Sequence, residues 1–189
     1  MVRLYLIRHG QSEENVAKVH SGWSQTPLTE EGKAEARMVG ERLKGIVFDH
    51  YYTSDLRRCV ETQEEMFPGV EAKKTWLLRE INVGEISGKS TEQCTREYGE
   101  LYTGNKPSRN YICFNGENKP LVRARAREFL KLMEKLEGNV AVFSHGNWIN
   151  CLIEDMTGIE WVKDGFPKNA RMSIIEFADG EWKIIGLNI

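Results

Sequence analysis

Two regimes of apolar spacing alternate along this chain. At residues 4–7 and 140–143 the apolar side chains run without interruption, as in strands buried on both faces. Elsewhere they recur every three or four positions, the spacing of an amphipathic helix. Ala36, Val39, Leu43 and Ile46 form one such face. Thr29, followed by Glu30 and Glu31, predicts its N-cap, with both acids at the positive end of the helix dipole. Residues 47–53 read as a second strand, and Ser54 or Asp55 as the cap of a helix that stops before Pro68 and Gly69. Residues 74–78 read as extended, 80–90 as a loop with two glycines, and 91–99 as a helix. Leu121, Ala124, Phe129, Leu132, Met133 and Leu136 mark the apolar side of a helix over 121–136. A further helix over 147–156 follows, then strands over 171–177 and 182–187 joined by the turn at Ala178, Asp179, Gly180 and Glu181.

Strands that alternate with helices predict an α/β fold, with a mostly parallel sheet between two helical layers. The spacing of elements is that of a single domain over residues 1–189. Residues 101–120 are rich in Gly, Asn, Pro and Lys and read as a long surface loop, a lid or substrate loop.

Composition narrows the setting without naming a reaction. Hydrophobic residues make up 40% and charged residues 29%, the balance of a soluble globular chain. A net charge of −2 exerts no global pull on nucleic acid, and no 18-residue apolar run would span a membrane. The four cysteines, Cys59, Cys94, Cys113 and Cys151, lack C-x-x-C spacing and read as reduced thiols of a cytoplasmic protein. Nothing in the sequence sets an oligomeric state.

Candidate chemistry gathers at the strand ends. Residues 4–10 and 140–146 repeat one pattern: an apolar run, a polar residue, then His9-Gly10 or His145-Gly146. In parallel sheets, ligands bind beyond the carboxyl ends of strands. Either histidine alone reads as a structural residue, but two in one setting beside Arg8 suggest a pocket for an anion. A neutral imidazole can act as a nucleophile, and a second, cationic one can hold negative charge. Arg57 and Arg58 sit at a predicted helix start, where a cation opposes the dipole unless it serves an anionic ligand. Adjacent helix positions diverge, so both cannot aim at one pocket, and spacing does not choose between them. Glu80 or Glu85 would protonate a leaving alkoxide, with solvated glutamates as the plain alternative. The chain has no G-x-x-x-x-G-K-[ST] loop, no D-x-D and no H-x-x-x-H. No cysteine has an arginine six positions on. A metal-free, cofactor-free histidine mechanism acting on a phosphoryl group fits what remains.

The motifs R-H-G-Q-S-E-E-N (8–15), P-L-T-E-E-G (27–32), T-S-D-L-R-R-C-V-E-T (53–62), L-R-E-I-N-V-G-E-I-S-G (78–88), G-E-N (116–118), F-S-H-G (143–146) and N-A-R-M-S-I-I-E-F (169–177) occur in this order. Over nearly the whole chain the sequence resembles the histidine phosphatase superfamily, which includes the cofactor-dependent phosphoglycerate mutases. It looks nearest to the broad-specificity and α-ribazole phosphatases. The resemblance implies a phosphoglycerate mutase-like fold and a phosphohistidine on His9. It implies that Arg8, Arg58 and His145 bind the phosphoryl group and that Glu80 is the proton donor. Asn15, Ser21, Gly22, Gly146, Asn147 and, less centrally, Glu85 would contact substrate. Gln25, Asn118 and Cys59 depart from common family residues. The short stretch between Gly88 and Leu121 favours a phosphatase acting on small phosphorylated molecules. A mutase and a non-catalytic phospho-ligand binding module are the alternatives.

Overall fold

A computed structural model describes residues 1–159 and 168–189. Six strands form one sheet: β1 (Val2–Arg8), β2 (His50–Ser54), β3 (Lys73–Thr75), β4 (Gly138–Ser144), β5 (Met172–Ala178) and β6 (Glu181–Gly186). Their order is β3-β2-β4-β1-β5-β6. The first four run parallel, while β5 and β6 are antiparallel to their neighbours. The helices are α1 (Glu13–Ala17), α2 (Glu30–Leu43), α3 (Arg57–Met66), α4 (Thr91–Tyr98), α5 (Glu100–Asn105), α6 (Lys119–Met133) and α7 (Gly146–Thr157).

The unbroken apolar strands do what their pattern predicts: they carry two cores. Leu4, Leu6, Val140 and Val142 face α6 and α7 in one cluster. The alternate residues Tyr5, Ile7, Ala141 and Phe143 face α2 and α3 in the other. The result is the expected three-layer α/β/α arrangement. Five core residues on β1 are at most 5% exposed, so this strand is stabilised from both sides by roughly 1.5–3 kcal/mol per large side chain.

Several boundaries differ from the sequence reading. Thr29 does cap α2, its hydroxyl accepting from the Gly32 N–H at 3.0 Å. Neither Ser54 nor Asp55 caps α3, however; the N-cap is Leu56, without a side-chain cap bond. Ser54 and Asp55 are committed to other partners, His145 and Arg79. Val47 and Phe48 lie outside β2, and residues 76–78 form a 3₁₀ turn rather than extended chain. The apolar face of α6 consists of Val122, Ala126, Phe129, Leu130 and Met133. Of the expected stripe, Phe129 and Met133 are buried and Leu136 packs against the core, while Leu121, Ala124 and Leu132 are exposed. Residues 101–120 include all but the first residue of α5, a 3₁₀ turn (Ile112–Phe114) and the first two residues of α6, and they bury Tyr102, Tyr111 and Phe114. Among the described residues, no helix is long and apolar enough to cross a membrane.

Candidate active site

β1 and β4 are neighbours, with Arg8 opposite Ser144. His9 and His145 therefore leave the sheet side by side, their rings 5.1 Å apart at 60°. This edge is also where the chain order reverses: β4 inserts between β1 and β2, and the next strand returns to the far side of β1. The His9 N–H donates to the Ser144 carbonyl at 3.1 Å, which ties the two strand ends together. Gly10 must be glycine here, because a Cβ would stand 2.3 Å from the carbonyl oxygen of Gly32. That close approach joins the motif at 8–15 to the one at 27–32.

Hydrogen bonding settles the form of His9. Its Nδ1 lies 2.8 Å from the Gly10 carbonyl, which can only accept, so Nδ1 carries the proton. Its Nε2 lies 3.3 Å from the Nε–H of Arg58, which can only donate, so Nε2 presents a lone pair. Burial pushes the His9 pKa well below its ordinary value, and the charges of Arg58 and Arg8 push it further. A neutral imidazole with Nε2 unprotonated is the nucleophilic form.

Arg58, not Arg57, enters the site. It sits on the first turn of α3 and is 1% exposed, with Nη1 and Nη2 donating to the carbonyls of Ser24 and Gly22 at 2.9 Å each. Arg57 points outward to Glu61, four residues on. Burial lowers the pKa of Arg58 and brings that of Arg8 down to about 10. Both remain cations at neutral pH. His145 is fully buried; its Nε2 lies 2.9 Å from the Ser54 hydroxyl and 3.3 Å from Cys59 Sγ. Burial, then Arg58, holds its pKa well below the ordinary value. The expected cationic partner is therefore a neutral imidazole, because the two arginines already supply the positive field.

Glu80 reaches the cavity from the segment after the 76–78 turn. Its Oε1 accepts from the Ile81 N–H at 2.8 Å, and its Oε2 from the Asn147 N–H at 3.2 Å. Its carbonyl is held by Trp23 Nε1 at 2.7 Å and Arg125 Nη2 at 2.9 Å. Arg125 also donates to the carbonyls of Leu77 and Arg79 and to the Glu117 carboxylate. This buried guanidinium pins the backbone that presents Glu80.

Arg8, His9, Asn15, Ser21, Gly22, Arg58, Glu80 and Asn147 line one cavity of about 160 Å³. Gly146 is buried at the start of α7 and does not line it. Glu85 also stands outside the lining; it is exposed and accepts from Asn115 at 2.5 Å. The remaining wall holds Val19, His20, Ile81, Val83 and Tyr111. Of these, Tyr111 comes from the 101–120 segment read above as a lid or substrate loop. His20 carries no local signal, since its role in the wall follows from contacts with residues 82 and 91 positions away. The departures also find places: Gln25 accepts from the Arg57 N–H, Asn118 caps α6, and Cys59 packs on His145.

A sequence model of the histidine phosphatase superfamily (branch 1) matches residues 4–189. A 2,3-bisphosphoglycerate-dependent phosphoglycerate mutase from Bartonella henselae is 31% identical over 169 residues, covering 82% of each chain. Among solved structures, Bacillus stearothermophilus YhfR superposes with a TM-score of 0.89 at 25% identity, covering 100% of this chain and 97% of that one. The α-ribazole phosphatase from Shigella flexneri superposes with a TM-score of 0.90 at 24% identity, covering 99% and 96%, and shares the fold. With motifs, fold and strand-end histidines in agreement over the full length, the chain belongs to the histidine phosphatase superfamily, branch 1.

Proposed function

We propose that this protein is a metal-independent phosphatase that hydrolyses small phosphate monoesters through a phosphohistidine on His9. The observation that carries this reading is the neutral, Nδ1-protonated His9 whose unprotonated Nε2 accepts from the Arg58 Nε–H. Arg8 and Arg58 bind the phosphoryl oxygens, helped by Asn15 and by backbone donors near Ser21 and Gly22. Nε2 attacks phosphorus in line; the N–P bond forms as the ester P–O bond breaks. Glu80 gives its proton to the departing alkoxide. The Gly10 carbonyl holds the Nδ1–H and steadies the charge that develops on the ring. In the second half, the Glu80 carboxylate takes a proton from water, whose oxygen bonds to phosphorus. The P–N bond breaks, its electron pair returns to Nε2, and inorganic phosphate leaves. His145 backs the phosphoryl pocket as a neutral hydrogen-bonding group. Residues 101–120 enclose the substrate, with Tyr111 as their contribution to the wall.

The mutase-named relatives at 31% identity favour a second reading, an isomerase that shuttles phosphate between two hydroxyls. Such an enzyme must hold a second phosphate throughout its cycle. Among the described lining residues, Arg8 and Arg58 are the only cations; Val19, Ile81 and Val83 are apolar, and His20 and Tyr111 are neutral. That asymmetry favours hydrolysis of a singly charged-ended ester. Incubation with p-nitrophenyl phosphate should release phosphate, undiminished by EDTA, and 3-phosphoglycerate should yield no 2-phosphoglycerate. Formation of 2-phosphoglycerate would replace the phosphatase reading with the mutase one. His9→Ala should abolish phosphate release.

A further inference from the structure

We propose that His20 and Tyr111 form the leaving-group half of this site and select monoesters of neutral alcohols that carry a further hydroxyl. The proposal rests on the phosphatase reading above and adds a substrate class to it. Both residues line the cavity that holds His9 and the two arginines. With the phosphoryl group at the arginines, the alcohol extends toward the rest of the lining, which beside Glu80 and Asn147 includes Val19, Ile81, Val83, an imidazole and a phenol.

His20 is held as a fixed part of that wall. Its N–H donates to the Lys89 carbonyl at 2.9 Å, and its own carbonyl accepts from the Gly88 N–H at 2.8 Å. Its Nε2 lies 2.7 Å from the hydroxyl of fully buried Tyr102, and the two rings meet edge to face at 5.7 Å. The Tyr102 hydroxyl lies 3.3 Å from Thr91 Oγ1, which also accepts from Lys106 Nζ at 3.1 Å. This chain of contacts commits Nε2, so Nδ1 is the hydrogen-bonding atom the ring has left for a ligand. The Tyr111 ring lies 6.4 Å from that of His20.

The charge state of the wall agrees with a neutral ligand. Burial and the charge of Lys106 lower the His20 pKa, and burial raises that of Tyr111 to about 12. A hydroxyl can pair with such groups and rest its carbons on the apolar side chains. A carboxylate in the same place would lose its hydration, and the cations whose charge reaches this wall, Lys106 and Arg109, do not line the cavity. Sites that hydrogen-bond a substrate hydroxyl discriminate against ligands lacking it, because the protein groups are then left unpaired.

Glycerol 3-phosphate and 3-phosphoglycerate test this directly, since they differ mainly in a hydroxymethyl group against a carboxylate; phenyl phosphate lacks both. The protein should show a kcat/KM for glycerol 3-phosphate at least about 10-fold above that for 3-phosphoglycerate. In His20→Ala, the ratio of kcat/KM for glycerol 3-phosphate to that for phenyl phosphate should fall about 10-fold, mostly through KM. His20→Gln should recover part of it, and Tyr102→Phe, which frees the ring, should lower the ratio by less. An unchanged ratio in His20→Ala, or a preference for 3-phosphoglycerate, overturns the subsite while leaving the phosphatase reading intact. Phosphate release from none of the three esters overturns the phosphatase reading and the subsite with it.

Discussion

At the scale of single residues, the site depends on which nitrogen of His9 carries a proton. The Gly10 carbonyl and the Arg58 Nε–H select the same tautomer from opposite edges of the ring. Two consequences are measurable. Histidine resonances followed by NMR should show His9 and His145 passing through pH 6.5 without titrating, His9 with its proton on Nδ1. An inflection near 6.5 for His9 would contradict the buried cationic surroundings assigned to it. Glu80→Gln removes the proposed proton donor while preserving side-chain shape. It should lower kcat on alkyl phosphates by about 100-fold or more, and by less on p-nitrophenyl phosphate, whose leaving group needs little protonation. Equal losses on both substrates would point to a binding role for Glu80 instead.

At the scale of elements, close approaches and one buried cation hold the catalytic segments in place. Gly32 on the first turn of α2 lies so near Gln11 that a Cβ would stand 2.0 Å from the Gln11 carbonyl oxygen. Gly32→Ala should therefore destabilise the protein by about 1–3 kcal/mol, read as a lower urea midpoint, because backbone must move on both sides. Arg125 joins α6 to the segment at 77–80 and to Glu117. Arg125→Met should lower kcat about 10-fold with little change in KM, and Arg125→Lys should recover part, as expected of a positioning residue. Local pattern made the strands and their terminal histidines legible, because each signal lies within one short stretch. It also made Thr29 legible as a cap. It could not choose Arg58 over Arg57 without the helix start, which competing partners of Ser54 and Asp55 displaced by one or two residues. Arg125 and His20 stayed hidden in the sequence for the same reason: their partners lie far along the chain.

At the scale of the whole molecule, the sheet order brings His9 and His145, far apart in the chain, to one end of the sheet. The fold carries a cost in acid for this arrangement. His9 and His145 have folded pKa values well below 6.5, so below that pH the unfolded chain binds protons that the native state does not. Stability should fall as pH drops beneath 6.5, by up to about 1.4 kcal/mol per pH unit for each imidazole, until the folded values are reached. Urea unfolding at pH 7.5 and pH 5.5 measures this, and a His145→Asn variant should show a shallower decline. A decline of the same steepness in that variant would assign the acid sensitivity elsewhere.

The central claim is that phosphorus passes through His9 before it meets water. The stereochemical course at phosphorus reads this most directly, using a monoester made chiral with oxygen isotopes and trapping the product by transfer to an acceptor alcohol. Two in-line displacements, one by Nε2 and one by the acceptor, predict net retention of configuration. Net inversion would mean a single direct displacement, and would contradict the phosphohistidine.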